Sequence, residues 1–157
     1  AYDLRPTMLD DLGLAPAIRW YARSRLEEAG VRVRLDIAAE AAGQLPPEHA
    51  TTLYRIAQEA ITNIVRHAAA TAATIELTRR NQHICLRIED DGCGFNPGLP
   101  FRDGRRHFGL QILQARAAQL QGKLEIISAP GRGTVVTLAW RVRRSVAAAP
   151  ALEAQGG

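Results

Sequence analysis

Apolar positions along this chain switch between a spacing of three to four and a spacing of two. From Leu14 to Ala29 the first spacing holds, with Ala17, Ile18, Tyr21 and Leu26 on one side and Arg19, Arg23 and Glu27 on the other. This predicts a helix that Gly30 ends. Val31, Val33, Leu35 and Ile37 then alternate with Arg32, Arg34 and Asp36, the period of a half-buried strand. Ala38 to Leu45 reads as a loop. Pro46-Pro47-Glu48 opens a second helix, with proline in the first turn and an acid at the positive end of the dipole. It runs to about Ala68 on a stripe of Leu53, Ile56, Ala57, Ala60, Ile61 and Ile64. Thr74 to Thr78 is a strand with Ile75 and Leu77 inward, and Asn81-Gln82 turns it into a second strand, Ile84 to Asp90. A third helix starts at Phe108-Gly109-Leu110, with Leu110, Leu113, Ala117 and Leu120 inward, and stops at Gly122. Leu124 and Ile126 mark a strand, 129–133 a turn, and Thr134 to Val142 the last strand. Upstream, Leu4-Arg5-Pro6 reads as a helix ending at proline. Asp10 and Asp11 are placed to cap the helix that follows. From Ser145 the Ala, Pro and Gly content predicts a frayed tail.

Two places carry polar groups where the pattern asks for apolar ones. Continuing the alternation of Ile84, Leu86 and Ile88 puts Asp90 on the inward face, where a carboxylate is costly unless bonded. Gly92 and Gly94 follow at once, residues that let a backbone turn sharply or approach a ligand closely. Alone, this string is read either as a tight turn capped by an Asp or as the floor of a site for a hydrogen-bond donor. On the second helix, Glu59 and Asn63 stack four apart, and Arg66 and His67 continue that edge beside the apolar stripe. That edge is a solvated face or a ligand wall. Asn96 to His107, rich in Pro, Gly, Arg and Asp, is a loop in the position of a lid.

Composition narrows the classes. The chain has 157 residues, 46% of them hydrophobic, enough for one domain with a real core. No run is long and apolar enough to span a membrane, and no signal peptide opens it. Cys85 and Cys93 lie too far from His partners for a zinc site, and two cysteines fit a reduced compartment. The net charge of +4 raises nucleic acid as a partner, but the arginines are scattered singly or in pairs and few aromatics are available to stack on bases.

In order, the chain offers a polar helix edge, an Asp-Gly turn, a lid, a glycine-led helix and a Gly-x-Gly-Thr turn. This resembles the ATP-binding catalytic domain of bacterial sensor histidine kinases, of the Bergerat type shared with gyrase, Hsp90 and MutL. Glu59 to Ala68 is similar to the family's asparagine box and Asp90-Asp91-Gly92-Cys93-Gly94-Phe95 to its first glycine box. His107-Phe108-Gly109-Leu110 is similar to its second, and Gly131-Arg132-Gly133-Thr134 to its closing one. Leu4-Arg5-Pro6 with Leu12-Gly13-Leu14 resembles the segment after the dimerisation helices in the subfamily that pairs with NarL/LuxR-type response regulators.

The resemblance implies a two-layer α/β sandwich, a mixed sheet with three helices on one face. It implies that residues 1–13 end a linker from a dimerisation domain, 14–144 form the ATP-binding domain and 145–157 a disordered tail. It implies that Asp90 accepts a hydrogen bond from the adenine amine, with Thr134 near the same base edge, and that Gly92 and Gly94 let the backbone close over the nucleotide. Asn63 is implied as the Mg²⁺ ligand. Arg66, His67 and His107 are implied at the phosphates, and Gly109 and Leu110 at the start of a helix offering its amides to them. Glu59 is implied to orient or deprotonate the attacking group. The implied partners are a dimerisation domain outside this chain and a response regulator, with no nucleic acid. The implied setting is a cytoplasmic domain of a homodimeric parent anchored in the inner membrane.

No Walker-type GxxxxGK[ST] string is present, in keeping with a non-Walker site. The four histidines are His49, His67, His83 and His107, and none sits in a helical His-Asp or His-Glu acceptor motif. His49 and His83 read as surface residues. The rival readings are another Bergerat ATPase or serine kinase, a non-catalytic nucleotide-binding scaffold, and a basic nucleic-acid module. The Leu-Arg-Pro opening weighs against the first, intact Glu59, Asn63 and Asp90 against the second, and the scattered arginines against the third.

Overall fold

The computed structural model describes residues 6–101 and 104–142. Helix α1 (Thr7–Leu12) leads into α2 (Leu14–Ala22), which continues through a π-helical turn over Arg23–Glu27. Strand β1 (Arg32–Ile37), a short helix α3 (Ala39–Ala42) and the long helix α4 (Pro47–Asn63) follow, and α4 also runs on through a π-turn, Ile64–Ala68. Then come the hairpin β2 (Ala72–Arg80) and β3 (His83–Asp90), helix α5 (Gly104–Gln119), and strands β4 (Lys123–Ser128) and β5 (Thr134–Arg141).

The strands make one mixed sheet in the order β1-β2-β3-β5-β4, parallel only between β1 and β2. A parallel pair needs a crossover, and α3 with α4 supplies it. One face of the sheet is covered. Ile75 and Leu77 of β2, Ile84, Leu86 and Ile88 of β3 and Leu138 of β5 meet Ile18, Leu53, Ile56, Ile61 and Leu113 of the helices, each at most 2% exposed. Fully burying such a side chain contributes about 1.5–3 kcal/mol. The other face is polar and open, as the Arg87–Glu89 ion pair across its surface shows. The expected sandwich, with α2, α4 and α5 on one side, is therefore the observed one.

Two helices end in matching turns. Gly30, in the left-handed region at φ 80°, lets Val31 N–H reach the Leu26 carbonyl. After α5 the left-handed residue is Gln121, at φ 53°, and the expected stop Gly122 donates back to the Ala117 carbonyl from one position later. Other expectations shift. Asp10 and Asp11 lie within or at the end of α1, and no side chain caps α2, whose N-cap is Gly13. Leu9, placed by the sequence in a connecting segment, is buried in the core. The expected loop 38–45 holds α3, and β2 begins two residues before Thr74. Leu4 and Arg5 and the tail from Ser145 fall outside the described residues. Among the described residues no helix is long and apolar enough to cross a membrane.

Candidate functional site

The alternation that sends Ile84, Leu86 and Ile88 into the core delivers Asp90 beside them at the end of β3. It is 6% exposed and is the one charged side chain buried among the described residues. Its Oδ1 accepts the Gly92 N–H at 2.8 Å. Its cross-strand neighbours are Ala73 and Thr134. Ser128 holds this end together. It accepts the Phe95 N–H at 2.9 Å, donates to the Gly133 carbonyl at 3.0 Å and lies 2.8 Å from the Thr134 hydroxyl. With the Ser128 proton committed to Gly133, Thr134 donates to Ser128 and keeps its lone pairs as acceptors. Asp90 and Thr134 thus form a wall rich in acceptors, suited to a ligand that donates.

The glycines of this corner face protein. A Cβ on Gly92 would lie 2.2 Å from the Ala68 carbonyl oxygen, and one on Gly94 would lie 2.1 Å from that of Ala129. One on Gly133 would lie 2.1 Å from the Asp90 carbonyl oxygen. Gly94 and Gly133 also sit at φ 60° and 71°, where side chains are strained. Beside the expected role of Gly92 and Gly94, closure over a ligand, stands a second one: they let three chain segments touch backbone to backbone. Hydrogen bonds lock the same contacts, from Cys93 N–H to Ala68 and from Gly131 N–H to Cys93, both 2.7 Å.

Above this corner runs the edge of α4. Glu59 and Asn63 lie on one side of it, and α5 passes so close that a Cβ on Gly109 would lie 2.6 Å from Glu59 Oε1 and 3.1 Å from Asn63 Oδ1. Burial pushes the Glu59 carboxyl above the usual carboxylate range, and the charges of Arg66 and Arg116 partly offset this. The π-turn after Asn63 breaks the regular helical phase. Arg66 is left exposed and His67 half-buried, and the His67 carbonyl accepts a hydrogen bond from the Cys93 thiol.

Asn63 and Leu110 join Asp90, Thr134 and Phe95 around a cavity of about 30 Å³. That is room for one or two waters and not for a purine ring. Leu110 and Phe95 also form the partition to a larger cleft of about 450 Å³, into which His107 faces from α5. There the His107 ring is 3.1 Å from the Gln111 amide nitrogen. His107 and Gly109 were expected at the mouth of a helix. They lie instead inside α5, which begins at Gly104, so the Gly109 amide is not a helix-terminal donor in this conformation. The expected lid, 96–107, correspondingly gives up its last residues to that helix.

The donor set fits an adenine nucleotide once Leu110 and Phe95 separate. A buried carboxylate and a hydroxyl oxygen can face the base, and an amide, a guanidinium and a carboxyl lie further along. Among the described residues no group of three or more His, Cys, Asp or Glu side chains converges on a point. Asn63 as the single protein ligand suits Mg²⁺, which keeps its other positions for phosphate and water. Three contributors were not found from the sequence. Asp91 accepts from Thr71 N–H, the Thr71 hydroxyl and Ala72 N–H, bonds that hold its carboxyl below the usual range and tie the turn to β2. Ser128 is the second, legible only from its pairing with Thr134. Arg116 is the third, and its spacing of seven from Gly109, two helical turns on one face, was a signal available in the sequence.

Residues 48–144 match the family described as histidine kinase-, DNA gyrase B- and HSP90-like ATPase. The chain belongs to this ATPase family. Over 137 residues it is 36% identical to the sensor histidine kinase MctS of Rhizobium johnstonii, covering 87% of this chain and 29% of that protein. It is 38% identical over 139 residues to the histidine-protein kinase/phosphatase UhpB of Salmonella typhimurium, covering 88% of this chain and 27% of that protein. With DegS of Bacillus subtilis it shares 34% over 136 residues, 85% of this chain and 35% of that one. The chain thus spans between about a quarter and a third of these relatives' length. In fold it is similar to the histidine kinase domain of the blue-light activated kinase from Erythrobacter litoralis. The TM-score is 0.69 at 18% identity, over 82% of this chain and 61% of that one. Within the span matched to this ATPase family, Asp90, Thr134 and Asn63 line one corner.

Proposed function

We propose that this chain is the ATP-binding catalytic part of a sensor histidine kinase, transferring the γ-phosphoryl group of Mg-ATP to a histidine on a dimerisation domain. The observation that carries this is the buried Asp90, an acceptor on an otherwise apolar strand face, with Thr134 in register beside it and Asn63 above. The kinase relatives, each matched over more than four-fifths of this chain, support it. Asp90 and Thr134 hold the adenine amine. Asn63 is the protein ligand to the metal, which neutralises charge on the phosphates when bound. Arg66 and His67 face the phosphates, with His107 and Gly109 reaching them once α5 moves. Gly92 and Gly94 keep the Asp90 turn in place. Glu59, with its raised affinity for protons, orients or deprotonates the attacking imidazole. Little covalent chemistry falls to the protein, so positioning and charge account for the rate. None of the four histidines lies in a His-Asp or His-Glu helical motif, which supports an acceptor on another domain. On this reading residues 14–144 are the catalytic unit of a homodimeric, membrane-anchored parent with the site in the cytoplasm, and a response regulator takes the phosphoryl group onward.

The test is a two-part transfer assay. Incubated with radiolabelled Mg-ATP, the chain alone binds nucleotide and gains no stable phosphohistidine. Adding a dimerisation domain with its acceptor histidine restores labelling of that domain, weakly, because no tether raises the effective concentration. Acid-labile labelling of the chain by itself, or no nucleotide binding at all, overturns the reading.

A further inference from the structure

The arginines that look scattered in sequence are not scattered on the sheet. Arg80 pairs in register with His83, and His83 with Arg141. One step along, Cys85 pairs with Ala139, and Ala139 with Lys123 on β4. Alternation sets all of these on the open face, because Leu77, Ile84, Leu138 and Trp140 point into the core. Strands lie about 4.8 Å apart, so Arg80, His83 and Arg141 stand in one row with Lys123 beside it, at one corner.

The corner is a depression of about 670 Å³, within the range of small-ligand pockets, and no acidic residue lines it. Arg80, His83, Lys123 and Arg141 are all exposed. Arg80 and Arg141 stand on either side of His83 in one row, two like charges with only a histidine between them. Elsewhere on this face charges are mixed: Arg87 pairs with Glu89 at 2.8 Å, and Asp36, Glu76 and Glu125 share the row of Arg87. Among the described residues no carboxylate balances the corner. Residues 143–157 add Arg143 and Arg144 against the single acid Glu153. Trp140, 4% exposed, backs the lining from the covered face.

We propose that this corner is a binding site for a multivalent anion of the phosphate class. Arginine forks match phosphate oxygens two at a time, and two of them flank the row while His83 and Lys123 close it. Concavity favours a compact anion over a flat acidic protein surface, and no exposed aromatic offers a base a stacking platform. The site is separate from the nucleotide corner. It lies at the other end of β3, seven residue steps or roughly 24 Å from Asp90, and on the opposite face of the sheet. It stands or falls independently of the kinase reading.

The phosphates could be free or on lipid headgroups, and two probes separate these sources. Tripolyphosphate is titrated calorimetrically into the chain without metal, and the chain is sedimented with phosphatidylcholine vesicles with and without phosphatidylglycerol. Each is repeated on the double substitution Arg80→Ser with Arg141→Ser, and on Arg80→Lys with Arg141→Lys. The side chains are exposed, so the variants should fold, as circular dichroism and unchanged affinity for an ATP analogue would verify. At least a tenfold loss of tripolyphosphate affinity in the serine variant, largely restored by lysine and weakened by salt, is expected for a free anion. Sedimentation with anionic vesicles, lost in the same variant while tripolyphosphate binds weakly, assigns the site to headgroups. Binding that survives the serine substitutions, or is lost only with Arg66→Ala, overturns the proposal, as does no binding of either probe.

Discussion

Asp90→Asn separates the recognition of the base from the stability of the fold. The substitution is isosteric, and the amide oxygen can keep the 2.8 Å bond from Gly92 N–H. What changes is the second position, where an NH₂ group replaces an accepting oxygen on a wall otherwise built of acceptors. A hydrogen bond to a charged group contributes about 1.5–3 kcal/mol. At 1.4 kcal/mol per factor of ten, nucleotide affinity should fall by roughly 10–150-fold. Stability should barely move, because the turn bond survives and a charge 94% buried no longer has to be desolvated. A change within about 1 kcal/mol corresponds to a midpoint shift of about 2–4 °C in a domain of this size. Calorimetric titration with a non-hydrolysable ATP analogue, beside thermal unfolding, reads both quantities. Wild-type affinity in a folded variant refutes the adenine assignment. Parallel loss of affinity and fold shows instead that Asp90 serves the turn.

Gly92→Ala must displace the Ala68 carbonyl, 2.2 Å from the new methyl, and overpacking of this kind costs about 1–3 kcal/mol, so the unfolding midpoint should drop by roughly 2–12 °C. An unchanged midpoint would mean that the contact relaxes freely. Arg116→Ala removes one of the two charges that lower the Glu59 pKa, so Glu59 should hold its proton to higher pH. The acidic limb of the two-part transfer reaction should then move upward in pH, and a limb that stays put would detach Arg116 from Glu59.

The parts of this fold legible in the sequence are those with local causes. Alternation over Ile84, Leu86 and Ile88 put Asp90 inside, where the structure has it, and the stripe from Leu53 to Ile64 set the polar edge of α4 beside the core. The start of α5 was not legible, because Gly104 to Phe108 carries no inward periodicity. The reason for Gly92 was hidden as well. It rests on Ala68, twenty-four residues earlier, brought into contact by the π-turn and the return of β3. The basic corner is a third case: positions 80, 83, 123 and 141 become neighbours only through register, and no window along the chain contains them all.

The narrow space between Leu110 and Asp90 has a consequence for any affinity measured on this chain. At about 30 Å³ it admits no base, so on the proposed reading this shut form is not the form that binds. Apparent affinity is then the intrinsic affinity multiplied by the fraction of molecules in which Leu110 and Phe95 have parted. Each tenfold bias toward the shut form weakens binding tenfold without altering a single contact to the nucleotide. A neighbouring domain that held α5 outward would therefore tighten ATP binding from a distance, and the occupancy of Asp90 would report whether that domain is docked.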